Sequence, residues 1–187
     1  MNKIVADVLA LGEGLAGMTA ALTAAQAGSR VCIAGKGGSA SPFVIGFSAP
    51  VGEDDSPEQF VEDMMTAGCG LNDRELALAF ARRAMDIPQW MEALDAPYEN
   101  TDGKPELMRS LGHTRARLVH QGTKTGPLCM EKLVPLLEES KVQTLHPYAC
   151  MTLLKDGDRV NGAVLMNLET NGLIYVQCSA VVLCTGG

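Results

Sequence analysis

The sequence predicts an α/β fold in which a parallel sheet carries a small antiparallel β-meander and an inserted helical segment. Three observations predict it. Two short apolar runs, residues 4–11 and 30–34, flank an Ala-rich stretch, giving strand, helix and strand within about thirty residues. Hydrophobic residues make up 47% of the 187-residue chain against 20% charged, enough to bury a core. Gly occurs 20 times while aromatics reach only 4%, a small-residue mix suited to close packing of helices on a sheet.

Each element follows from a local signal. Residues 4–11 read as one buried parallel strand, with Asp7 inside it and Gly12 ending it. Residues 15–27 form a helix with Gly28 as its stop, and residues 30–34 a second buried strand. Residues 35–50, rich in Gly, Ser and Pro, are a loop. At Ser56-Pro57-Glu58-Gln59 the Ser caps, the Pro takes the first helical position and Gln59 closes a capping box, starting a helix to about residue 67. Asn72-Asp73-Arg74-Glu75 starts another, to about residue 85. A short helix spans residues 87–94, where Pro88 fits only in the first turn. Residues 95–125 lack apolar periodicity and read as a long loop. Gly126-Pro127 opens a helix to residue 139, with Pro135 as a kink point. Residues 142–145 are a strand. Residues 148–154 and 159–168 pair across the turn Asp156-Gly157-Asp158, and residues 173–177 follow Asn171-Gly172. Residues 180–184 are a return strand before Thr185-Gly186-Gly187.

Charge and cysteine usage narrow the functions. The net charge is −7, and the groups Arg82-Arg83 and Arg115, Arg117, Lys124 are too sparse to track a phosphate backbone, which excludes nucleic acid as a partner. Cys32, Cys69, Cys129, Cys150, Cys178 and Cys184 show no CxxC pair and no metal spacing, so no metal is expected. They read as reduced, buried thiols of a cytoplasmic protein. Lys3 with the apolar run after it imitates a signal peptide, but Asp7 and Glu13 interrupt it, and no run is suited to span a membrane.

Gly12-Glu13-Gly14-Leu15-Ala16-Gly17 fits G-x-G-x-x-G between a predicted strand and a predicted helix, the context that gives the motif meaning. Gly12 allows the tight turn, Gly14 lets a pyrophosphate reach the backbone, and Gly17 lets helix and strand pack closely. The helix N-terminus offers N–H groups and partial positive charge to the phosphates. The expected fold is therefore a Rossmann-like FAD- or NAD(P)-binding domain. An acidic residue about 20 residues on would hold the ribose hydroxyls, and Gly35 stands there. Glu13 is also unusual, since a carboxylate near a pyrophosphate is repulsive unless it points away. NAD would want the same missing acid, and NADP an Arg, for which Lys36 is a weak substitute.

Four further stretches bear on the choice of dinucleotide: DVLALGEGLAGMTAAL from Asp7, GFSAPVGEDDSPEQFVEDMMTAG with GLND over residues 46–73, GHTRARLVHQGTKTG over residues 112–126, and SAVVLCTGG at the end. In order and spacing they resemble the flavoprotein family of fumarate reductase, succinate dehydrogenase and L-aspartate oxidase. The resemblance implies FAD, with Gly12, Gly14 and Ala16 at the pyrophosphate beside Leu15 and Gly17 of the same turn, and Lys36 near the adenosine. It places Ser39, Ser41 and Gly46 in the loop beside the flavin, Ala149 at a backbone contact to adenine, and Thr185 and Gly186 in the A-T-G-G segment, with Cys184 replacing its Ala. Members with covalent flavin carry a His in the segment matching residues 39–46; none is present, so the implied FAD is noncovalent.

The chain departs from that family at three places. Gly35 replaces the ribose ligand. Pro42-Phe43-Val44 interrupts a shortened loop, and Arg109-Ser110-Leu111 stands where aspartate-acting members carry an acid, which argues against a dicarboxylate or amino-acid substrate. The capping domain that supplies substrate-binding Arg and His groups in the family is absent from these 187 residues. Residues 1–187 therefore read as an incomplete FAD-binding domain, with inserted helices and loop at 56–125 and helix, meander and return strand at 126–187. The nearest catalytic candidates are His113, a proton relay, and Arg115, a carboxylate holder, with His120 nearby. The expected function is the FAD-binding lobe of an oxidoreductase acting on a small organic acid, with a partner chain or electron-transfer subunit completing the site. The alternative is a noncatalytic or truncated nucleotide-binding module that works with a partner chain.

Overall fold

A computed structural model describes residues 2–186; Gly187, the last residue of the terminal Gly-Gly, lies outside the described residues. In chain order the elements begin β1 (Asn2–Val5), β2 (Val8–Leu11), α1 (Leu15–Gln26), β3 (Val31–Ala34), β4 (Gly46–Ser48), α2 (Pro57–Ala67), α3 (Arg74–Ala84) and α4 (Ile87–Ala93). They continue β5 (Asn100–Thr101), β6 (Lys104–Pro105), β7 (Leu107–Met108), β8 (Leu118–His120), α5 (Thr125–Glu139), β9 (Gln143–Leu145), β10 (Tyr148–Asp156), β11 (Arg159–Asn167), β12 (Leu173–Gln177) and β13 (Ala180–Leu183). The chain divides into two compact units, Met1–Pro42 with Met130–Gly187, and Phe43–Cys129.

The first unit holds two sheets. The parallel sheet runs β13-β2-β3-β9, and α1 packs on β2 and β3. The second sheet runs β1-β12-β11-β10; its β10-β11-β12 meander is antiparallel and β1 joins it in parallel. The core lies between them. Leu9, Leu11, Cys32 and Ala34 from the parallel sheet meet Ala163, Leu165, Ile174 and Val176 from the other. Burying a Leu or Ile there contributes roughly 1.5–3 kcal/mol each.

One expectation needs correction here. Residues 4–11 are two strands in two different sheets. The break comes at Asp7, which is pinned as a corner. Its carboxylate accepts from the Arg30 backbone N–H at 2.8 Å and from the Arg30 guanidinium, and its carbonyl accepts from the N–H groups of Ser179 and Ala180. The hydrogen bonds from Arg30, first the side-chain one and then that of its backbone N–H, hold the Asp7 carboxyl down at about 2. A carboxylate inside an apolar run marked the point where the chain changes sheets.

The second unit is built on α2 and α3. Both helix starts match their caps: Ser56 accepts from the Gln59 N–H and Asp73 from the Leu76 N–H. Phe60 and Val61 of α2 pack on Ala77 and Ala81 of α3. The two predicted loops hold short strands instead. β4 and β7 pair antiparallel with β8, and β5 with β6. Strands of two or three residues are too short to show a period of two. Around β8, Val119 is fully buried and brings backbone groups into the interior that β4 and β7 pair.

The six cysteines are free thiols, but only Cys32, Cys129 and Cys178 are buried; Cys69 and Cys150 are exposed and Cys184 is intermediate. Burial pushes the Cys32 thiol up to about 12 and that of Cys129 to about 11.

Candidate cofactor site

The site in the first unit is made where three distant segments meet at the start of α1. Gly12 leaves β2 with a φ of +123°, a conformation that L side chains rarely adopt. A Cβ there would sit 2.0 Å from the Cys184 carbonyl oxygen, so the end of β13 closes directly on the turn. A Cβ at Gly17 would sit 1.8 Å from the Gly12 carbonyl oxygen, which is the close helix–strand packing that the motif requires. Gly14 precedes the helix in extended conformation. A Cβ on it would meet Ser41 Oγ at 2.9 Å and Ser39 Cβ at 3.4 Å. The Leu15 N–H donates to Ser41 Oγ at 2.9 Å. Thus Gly12, Gly14, Leu15, Gly17, Ser39, Ser41, Cys184 and Thr185 form one cluster, Gly186 follows Thr185 with a φ of +72°, and Ala16 stands exposed in the first turn of α1.

A second cluster lies where β3 ends. Parallel pairing sets Ala34 opposite Leu145. The Gly35 N–H donates to the Leu145 carbonyl and its own carbonyl accepts from the Tyr148 N–H at 2.7 Å. This brings Gly35, Lys36 and Gly37 to the start of β10, which carries Ala149. His146 joins them: its Nδ1 lies 2.9 Å from Glu13 Oε2, and a Cβ on Gly37 would come 3.1 Å from its ring. A cleft of about 470 Å³ opens beside this cluster, lined by Glu13, Gly38 and Ser39 with the apolar Met18, Met130 and Val134. The arrangement fits a dinucleotide: glycine backbone and small hydroxyl side chains surround a helix N-terminus, and the cleft beside it is lined by Glu13, Gly38 and Ser39.

Gly46 lies in the second unit. It is held in β4 opposite His120, where a Cβ would strike Leu118 Cγ at 2.6 Å. His113 and Arg115 belong to the same unit. The His113 ring faces Phe60 with centroids 5.6 Å apart, and its Nδ1 lies 3.3 Å from an Arg117 nitrogen. Arg115 Nε donates to the Asp54 carbonyl at 3.1 Å. Buried His120 has an Nδ1 without a hydrogen-bond partner, 3.8 Å from Glu99 Oε2.

The strongest electrostatic feature of this unit is Arg117, which sequence reasoning treated only as part of a weak basic group. It is fully buried, forks onto Asp55, with Nη2 to Oδ1 at 2.9 Å, and donates to Asp63. Its guanidinium sits 4.9 Å from the Phe60 ring centroid. Burial alone would raise the Asp63 carboxyl, but hydrogen bonds from Thr114 and Arg117 outweigh it and hold the group below the usual carboxylate range. The sequence signal was the spacing of Asp63 on the buried face of α2, three residues past Phe60. His146 was missed because only the pairing of β3 with β9 brings it to Glu13. Among the described residues no group of three or more His, Cys, Asp or Glu could hold a metal ion, and no helix is long and apolar enough to cross a membrane.

Residues 7–187 match the FAD binding domain family. The chain is 33% identical to an L-aspartate oxidase of Streptomyces coelicolor, over 98% of this chain and 33% of that protein. It is 32% identical to a probable fumarate reductase, Ifc3, of Shewanella frigidimarina, over 97% of this chain and 32% of that one. Among solved structures, the Sdh1 complex of Mycobacterium smegmatis in its apo form aligns with a TM-score of 0.89 at 29% identity, covering all of this chain and 35% of its own. The FrdA chain of Escherichia coli quinol fumarate reductase aligns with the same score at 25% identity, over 33% of its length. The chain thus spans about a third of the relatives it matches. The glycine turn, the closing segment after β13 and the match across nearly every residue agree: this chain belongs to the FAD binding domain family, whose cofactor is FAD.

Proposed function

We propose that the chain forms the FAD-binding lobe of a flavin-dependent oxidoreductase of the fumarate reductase and succinate dehydrogenase type, acting on a small organic acid. The observation that carries this reading is the convergence of Gly12–Gly17, Ser39–Ser41 and Cys184–Thr185 around one helix N-terminus. In it, the N–H groups of Ala16 and Gly17 in the first turn of α1 meet the pyrophosphate, and Ser39 flanks it with Ser41, whose hydroxyl oxygen accepts from the Leu15 N–H. Lys36 and Ala149 lie at the adenosine end, and Thr185 and Gly186 close the other side. Bound FAD would supply the acceptance and release of a hydride or electron pair. The flavin is held noncovalently, as the segment 39–46 contains no His. His113 and Arg115 are bound into the network of their own unit, which supports a structural role for both over proton relay or carboxylate binding. Free thiols fit a reducing compartment such as the cytoplasm.

The test is an absorbance spectrum of the purified protein, followed by mass spectrometry of the ligand released on denaturation. The expected result is a flavin spectrum and the mass of FAD. A colourless protein that gains no flavin absorbance on reconstitution overturns the reading.

One observation favours a second reading, a nucleotide-binding module completed by a partner chain. The edge strand β13 exposes Leu183 and Val182, by 64% and 37%. Turnover of an artificial electron acceptor by this chain alone would sink that reading.

A further inference from the structure

The end of β3 has no acidic side chain, yet a carboxylate occupies its place. A Cβ built on Gly35 would lie 2.2 Å from Glu13 Cγ, 2.4 Å from Glu13 Cδ and 2.4 Å from Glu13 Oε2. The Glu13 carboxyl thus sits about as far from that Cβ point as the carboxyl of an acid at position 35 would sit from its own Cβ. The two arrangements exclude each other sterically: Glu13 can lie there only because residue 35 is Gly. The Glu13 carboxyl is held between Gly35 and His146, at the end of β3. His146 Nδ1, at 3.2 and 2.9 Å from the two Glu13 oxygens, fixes the side chain in this direction. Glu13 is about four-fifths buried and lines the cleft beside the turn.

We propose that Glu13 is the residue that accepts hydrogen bonds from the ribose hydroxyls of the adenosine half of FAD, reached from the glycine turn rather than from the end of the second Rossmann strand, with His146 as its positioning residue. In dinucleotide-binding folds that contact comes from an acid at the strand end. Here the same point in space is served by a residue at the variable second position of the motif. Gly35 is then half of an exchange, not a loss. The inference rests on the flavin reading above.

The experiment uses the full protein, freed of flavin, and compares four probes by fluorescence or calorimetric titration: FAD, FMN, ADP and 2′,3′-dideoxy-ADP. The unaltered protein should bind ADP about tenfold or more tighter than its dideoxy analogue, as expected for a charge-assisted hydrogen bond. Glu13→Gln should weaken FAD and ADP by a similar factor, remove the discrimination, and leave FMN and dideoxy-ADP unchanged. The double variant Glu13→Ala, Gly35→Glu should restore it. If Glu13 only latches His146, Glu13→Gln and His146→Ala would lower stability while ADP and dideoxy-ADP bind equally well to the unaltered protein. That equality overturns the assignment, and it is read on unaltered protein even if the variants fail to fold. Failure to bind FAD at all instead overturns the flavin reading on which the assignment rests.

Discussion

The turn at Gly12–Gly17 and the buried cluster at Arg117 both gather polar groups, and they use them in opposite ways. The turn removes side chains, so that the backbone at a helix start is left bare of them, with the Leu15 N–H taken up by Ser41 Oγ. The cluster consumes its polar groups internally. Arg117 satisfies Asp55 and Asp63, Thr114 donates twice to Asp63, and His113 and Phe60 cover the guanidinium. A site for a ligand is recognised by donors left available. A structural ion cluster is recognised by charges already answered. The cluster holds the more conspicuous residues, and the turn is the one that fits a dinucleotide.

That contrast can be broken experimentally. The largest effect should come from Arg117→Met, which leaves two carboxylates in a buried site without their cation; a loss of about 3–5 kcal/mol is expected in urea unfolding. If stability is unchanged, the cluster is not what holds the second unit together. Next comes Gly17→Ala, whose added methyl would lie 1.8 Å from a backbone oxygen that cannot swing aside. About 3 kcal/mol is expected, seen as a lowered melting temperature together with weakened FAD binding.

Acid should separate the two regions further. The folded Asp63 carboxyl lies below its ordinary value, so the unfolded chain takes up the proton first. The stabilisation is complete above the unfolded value, near pH 4, and is lost as pH falls toward the folded one. Melting curves across pH 2–5 should therefore show a steeper acid loss in the unaltered protein than in Asp63→Asn. The smallest effect belongs to Lys104→Ala. Its ion pair with Glu53, at 2.8 Å, is exposed on both sides, and the melting temperature should not move beyond error.

Much of this protein follows from local sequence. The glycine turn, the caps at Ser56 and Asp73, and the Asp156-Gly157-Asp158 hairpin are set by residues within five positions of one another, where steric freedom and short hydrogen bonds decide conformation. The parallel sheet was legible for the same reason: its strands are short apolar runs next to a helix of the right composition. The tertiary structure decided the rest. Asp7 breaks an apolar run because Arg30 and the start of β13 meet it there. β4 and β8 are strands only because they pair with each other across the second unit. Arg117 looked like surface charge until Asp55 and Asp63 closed on it. Gly35 looked like a missing ligand until folding laid Glu13 over it and His146 beside it. In each case the deciding partner lies far along the chain, and only the assembled fold brings the two within hydrogen-bonding reach.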